Sequence, residues 1–157
     1  MLPALNRNAR ILALAILVLV PCAMVARPVA AADLLTSMSD SHMEGIFKAM
    51  DVEFTKSADH KWRVILDDSK VVIVLGNDGT DMQFYVVFDV IVSAESMNKW
   101  NAAKRFSRAY SDSDKNPTLE WDLDYTGGVT DDTIKAAIKL FRNSLVKFKS
   151  FVQDNKS

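Results

Sequence analysis

Residues 100–130 read WNAAKRFSRAYSDSDKNPTLEWDLDYTGGVT, and this stretch decides the fold. Leu119, Trp121, Leu123 and Tyr125 alternate with Thr118, Glu120, Asp122 and Asp124. A period of two belongs to a strand with one core face and one wet face, so a β-strand with an acidic outer side is predicted here. Ser107 to Asp112 form a shorter strand before it, and Ser113 to Pro117 supply the turn of a hairpin. Beyond it, Gly127-Gly128 lead to Thr130, a good N-cap, with Asp131 and Asp132 where the helix dipole favours acids. Ile134, Ile138, Phe141, Leu145, Phe148 and Val152 then recur at spacings of three and four, and Leu140, Val146 and Phe151 widen that apolar side. Lys147 and Lys149 carry the sign favoured near a helix end. A helix of about 22 residues is about 33 Å long, enough to lie across a sheet.

Toward the amino terminus the same reading continues. Ser93 caps a helix predicted to reach Phe106, with Met97, Trp100 and Ala103 inward and Lys99, Lys104 and Arg105 outward. Before it, Val52–Thr55, Trp62–Leu66, Val71–Leu75 and Met82–Val92 are strand-like runs. Turn residues separate them, among them Asn77-Asp78-Gly79, which tolerate positive φ. Successive hairpins make the sheet antiparallel. Ser41 with Glu44 reads as a capping box ahead of Met43, Ile46, Phe47 and Met50, one apolar helical stripe. Asp33 to Asp40 is polar and mixed and reads as a flexible tether. The predicted class is α+β, an antiparallel sheet of about five or six strands packed with about three helices. It forms a single domain over residues 41–153, with residues 154–157 as a tail.

Two central strands lack clean alternation: Val71 to Leu75 is aliphatic throughout, and Tyr85, Val86, Val87 and Phe88 do not alternate either. An antiparallel sheet with one solvated face should alternate, so both faces of these strands want cover. The sheet face opposite the helices is therefore the expected binding surface, with Trp62, Phe84, Val86 and Phe88 as its candidate contact residues. The expected partner is a protein client or a second copy of the chain.

The first residues carry Arg7 and Arg10, Ile11 to Val20 is wholly apolar, and Pro21 precedes the small residues Ala30, Ala31 and Ala32. These are the three parts of a secretory leader over residues 1–32, with a cut expected near Ala31 or Ala32. Ile11 to Ala26, interrupted by Pro21, falls short of the about 20 residues that span a bilayer, so no stable membrane anchor is expected after cleavage. Pro21 before Cys22 is a poor fit to a lipidation site. Losing the leader takes the 19 basic residues to 16 against 20 acids, which moves the net charge from −1 to −4. That balance argues against a nucleic-acid groove, which needs a concentrated basic face. The one cysteine leaves with the leader, which fits a periplasmic or secreted protein stabilised by its core.

Residues that could carry chemistry are few. Asp112, Asp114 and Asn116 resemble the start of a calcium loop, but Pro117 and Leu123 stand where that loop needs glycine and glutamate. Glu120, Asp122 and Asp124 share a strand face about 6.8 Å apart and read as solvated. Asp131 and Asp132 would repel a phosphate at the Gly127-Gly128 helix start. His42 and His60 are far apart in sequence, and no Gly-x-Ser-x-Gly elbow occurs. No catalytic residue, metal ligand or cofactor is expected.

The order Trp100-Asn101, Arg105-Phe106, an acidic turn, Leu119 to Leu123 alternating, Gly127-Gly128-Val129-Thr130 and an amphipathic last helix resembles the YbjN family. That family is described as bacterial sensory transduction regulators, and the resemblance covers about residues 41–152. It implies a fold similar to type III secretion chaperones, which bind other proteins and often pair with themselves, and it brings no catalytic residues. This chain differs from cytoplasmic members in its leader. The expectation is an exported, non-enzymatic protein-binding or chaperone-like module. A small periplasmic enzyme or calcium-binding protein using the acidic hairpin is one alternative, and a homodimeric envelope protein another.

Overall fold

A computed structural model describes residues 33–156 apart from residue 77; the secretory leader read at residues 1–32 lies outside them. The described elements are α1 (Asp40–Ala49), β1 (Phe54–Ala58), β2 (Lys61–Leu66), β3 (Ser69–Leu75), β4 (Asp81–Val87), α2 (Ala94–Ala103), β5 (Arg108–Ser111), β6 (Pro117–Asp124) and α3 (Asp131–Asn155). The six strands form one sheet in the order β1-β2-β3-β4-β6-β5, every pair antiparallel. With three helices, this is the α+β architecture that the sequence predicts. Among the described residues, no helix is long and apolar enough to cross a membrane.

Local chemistry explains the hairpins. Leu66 pairs with Ser69 across Asp67-Asp68, whose φ values of 46° and 61° are those of a two-residue turn matched to strand twist. Arg142 on α3 clamps that turn by donating from Nε and Nη2 to the Asp67 carboxylate at 2.8 and 2.7 Å, and Lys149 Nζ donates to the Asp67 carbonyl at 2.7 Å. The outer strands are modest. The register of β1 shifts between Lys56 and Ala58, and β5 has only four residues.

All three helices pack on one face of the sheet. Its buried side chains share one parity: Trp62, Val64 and Leu66 on β2, Val71, Ile73 and Leu75 on β3, Met82, Phe84 and Val86 on β4, and Leu119 on β6. Against them lie Phe47 of α1, Trp100 of α2, and Phe141, Leu145 and Phe148 of α3. The rings interlock: Phe47 meets Trp62 edge-on at 5.9 Å, Phe84 stacks on Phe141 at 5.4 Å, and Trp100 meets Phe148 edge-on at 4.9 Å. Offset and edge geometries of this kind add about 0.5–1.5 kcal/mol per pair to burial itself.

Thr130 and Ser93 cap α3 and α2 as expected. The start of α1 is different. Ser39 is the N-cap, accepting from the His42 amide at 3.3 Å, while Glu44 is diverted to the indole of Trp62, whose Nε1 donates at 3.1 Å. Two further pairs fix that end, His60 Nδ1 to Asp40 Oδ1 at 2.6 Å and His42 Nε2 to Asp131 Oδ1 at 2.7 Å. Residues 33–40 are not a free tether. Leu35 bridges Val129, Met38 is buried, and the Met38 amide donates to the Gly79 carbonyl at 2.8 Å. Helix α2 ends at Ala103, which is exposed, and Phe106 follows with φ 60°.

Candidate binding face

Strand parity divides the sheet, and the second face carries none of the helices. Its rows can be read directly from the register. Thr55, Arg63, Val72, Tyr85, Glu120 and Arg108 lie side by side across all six strands, and Lys61, Val74, Gln83 and Asp122 form the next row. Ile65, Val72, Val74 and Tyr85 are half-buried at its middle, and Val87 and Tyr110 are 45% and 41% exposed. The aliphatic run of β3 is thus explained: Val71, Ile73 and Leu75 enter the core while Val72 and Val74 stay on the open side.

This geometry corrects the candidate contact residues. Trp62 and Phe84 have no exposure and Val86 has 3%, all beneath the helices, and the half-buried Phe88 meets Phe148 of α3 edge-on at 5.7 Å. Trp62, Phe84 and Val86 are core and cannot meet a partner, and Phe88 is turned toward α3. The reason is that both parities of β3 and β4 are apolar, so composition alone does not say which one the helices cover. A usable signal lay in Lys61 and Arg63 of the flanking β2 and in Lys70 and Gln83 at the starts of β3 and β4, which mark the wet parity.

Glu120 corrects the reading of a solvated acidic face. Its side chain is only 5% exposed, because Arg108 lies over it; Nε donates to Oε1 at 3.0 Å, Nη2 donates to the same oxygen, and Gln83 Nε2 donates at 3.2 Å. Beside them, burial first and the Glu120 carboxylate second push the Tyr110 phenol up to about 12, so it stays neutral. Asp122 remains exposed.

The other acidic residues serve the turns. The Asp112 Oδ1 accepts from the amides of Asp114 and Asn116 at 2.9 and 2.8 Å, an Asx turn that shapes the β5–β6 hairpin. Among the described residues, no three His, Cys, Asp or Glu side chains are grouped to hold a metal ion. His42 and His60 each pair with an aspartate of another element and serve as structural ties.

One concavity lies on the open face and a larger one on the helical side. The first, of about 360 Å³, lies on the open side of β1 to β3 against Glu53, Thr55, Arg63, Ile65 and Lys70. A larger groove of about 620 Å³ runs between the end of α2 and α3, against Trp100, Lys104, Arg105, Phe106, Val146 and Lys147.

Residues 34–154 match the model of the YbjN family, described as "Putative bacterial sensory transduction regulator". The chain belongs to the YbjN family. A crystal structure described as "YbjN, a putative transcription regulator from E. coli" has the same fold, with a TM-score of 0.62 and 16% identity over 80% of this chain and 99% of that one. None of the curated proteins matches the chain. The YbjN match spans every element from α1 to α3, and the open face therefore belongs to the family domain itself.

Proposed function

We propose that this chain is an exported, non-enzymatic protein-binding module of the YbjN type, regulatory or chaperone-like, that works through the open face of its sheet. The observation that carries this reading is a six-strand face with apolar residues at its centre and charged residues at its sides, on which none of the described helices lies. Apolar centres ringed by polar groups are how protein contact surfaces are built. The regulator description of the family and the secretory leader read from residues 1–32 support the same reading.

A photo-crosslinking side chain placed at Val74, on the open face, and separately at Ala136, on the outer side of α3, tests it in living cells. Adducts with other chains from position 74 and none from position 136 are expected; the reverse pattern overturns the assignment. Fractionation with amino-terminal sequencing tests export. The expected result is a chain outside the cytoplasm that starts near Ala32, and an uncut cytoplasmic chain overturns it.

A further inference from the structure

The open face is divided by charge. Its β2–β3 half presents Lys61, Arg63 and Lys70, while its β4–β6–β5 half presents Asp81, Glu120, Asp122 and Asp124 against Arg108. With Glu53 beside the three basic residues and Arg108 offsetting Glu120, a net two positive charges stand opposite a net three negative ones at pH 7, with Val72, Val74 and Tyr85 between them. We propose that the occupant of this face is a second copy of the chain, seated face to face about a two-fold axis that runs parallel to the strands between β3 and β4. This inference rests on the reading of the open face as a protein-binding surface.

The choice of axis follows from the strand order. A rotation about that line reverses the order across the sheet, so that β2 meets β6, β1 meets β5 and β3 meets β4 of the other copy. Each basic half then covers an acidic half. Rows keep their level under this rotation: Lys61 and the exposed Asp122 share one row, so this pair of opposite charges meets twice in a symmetric dimer. A two-fold axis across the strands would lay β2 on β2 and set like charges together, which is unfavourable. Shape agrees with charge. The hollow around Ile65 lies at the β1–β2 edge, where the Ile65 amide bonds the Glu53 carbonyl, and the projecting Tyr110 lies at the β5 edge. Tyr110 pairs with Thr118 and Thr118 with Val87, two residues on from the Tyr85 row, as Ile65 is two on from Arg63. The rotation therefore carries the phenol of one copy toward the hollow of the other.

Six strands at about 4.8 Å and seven residues at about 3.4 Å give a footprint of about 700 Å² per copy. That is close to the size of a standard specific interface, enough for a dimer that sedimentation can detect. Sheets packed in this way cross at about 30°, which keeps facing rows in reach of long side chains.

Sedimentation of the purified chain over a concentration series tests the proposal, using two charge-reversed variants, Lys61→Glu and Asp122→Lys. The wild type is expected to dimerise. Each variant alone should self-associate at least about tenfold more weakly, because positions 61 and 122 then carry like charges at both symmetric contacts. Mixed in equal amounts, the two should form a heterodimer near wild-type affinity, since position 61 of each copy then faces position 122 of the other with opposite sign. Misfolding cannot produce that recovery. A wild type that stays monomeric, a dimer indifferent to both reversals, or variants that fail to recover on mixing would each overturn the second copy as occupant. Adducts from position 74 with proteins other than this chain would survive all three outcomes, so the broader binding reading is judged separately.

Discussion

Phe84 and Tyr85 are neighbours in β4 with opposite fates, and truncating each in turn measures which side of the sheet is core. Phe84 has no exposure and stacks on Trp121 at 5.6 Å and Phe141 at 5.4 Å. Phe84→Ala removes a whole ring from between β6 and α3, and such a cavity costs about 3–5 kcal/mol. Tyr85 is half-buried on the open face, beside Val72 and Glu120, and Tyr85→Ala should cost about 1 kcal/mol. At about 2.1 cal/mol/K per residue, a domain of about 120 residues has an unfolding entropy near about 0.25 kcal/mol/K. Phe84→Ala should therefore lower Tm by about 12–20 °C and Tyr85→Ala by about 4 °C. Differential scanning calorimetry of the two variants and the wild type decides the matter. If Tyr85→Ala proves as damaging as Phe84→Ala, the open face is not open, and both the contact surface and the pairing built on it fall.

Two further outcomes follow from the structure. Hydrogen bonds from Arg142 hold the Asp67 carboxyl below its usual range; burial raises Asp40, but hydrogen bonds from Lys56 and His60 outweigh it and hold that carboxyl low as well. Folded values below unfolded ones mean stability that is present above about pH 4 and lost as pH falls further, so the wild-type Tm should drop steeply there and Asp67→Asn should flatten the drop. An equally steep drop in that variant would exclude the Asp67 clamp as its cause. Phe106 holds φ 60° while 52% exposed, a backbone state that disfavours a bulky residue. Phe106→Gly should raise stability by up to about 1 kcal/mol in urea titration, and a loss of that size would show that the ring is needed for packing.

Much of the fold was legible because it was local. The alternation of Leu119 to Tyr125, the caps at Ser93 and Thr130 and the apolar stripe of α3 are properties of short windows, and each has its expected place. What was hidden depended on distant partners. Glu44 belongs to a capping box by spacing, yet the indole of Trp62 claims its carboxylate. Residues 33–40 look like linker because the value of Met38 lies in meeting Gly79 and that of Leu35 in meeting Val129. Glu120 looks wet until Arg108 is paired beside it. The candidate face was misplaced for the same reason: parity is written in the sequence, but the side on which helices land is decided by three elements together.

The modest outer strands of the sheet have a consequence for the molecule in a crowded compartment. The irregular β1, with Lys56 drawn to Asp40 and Asp59, and the four-residue β5 offer poor templates for another chain's backbone. Ribbon-wise extension, the first step toward fibres, is discouraged at both rims, so the molecule can keep a greasy flat side on show without polymerising along it.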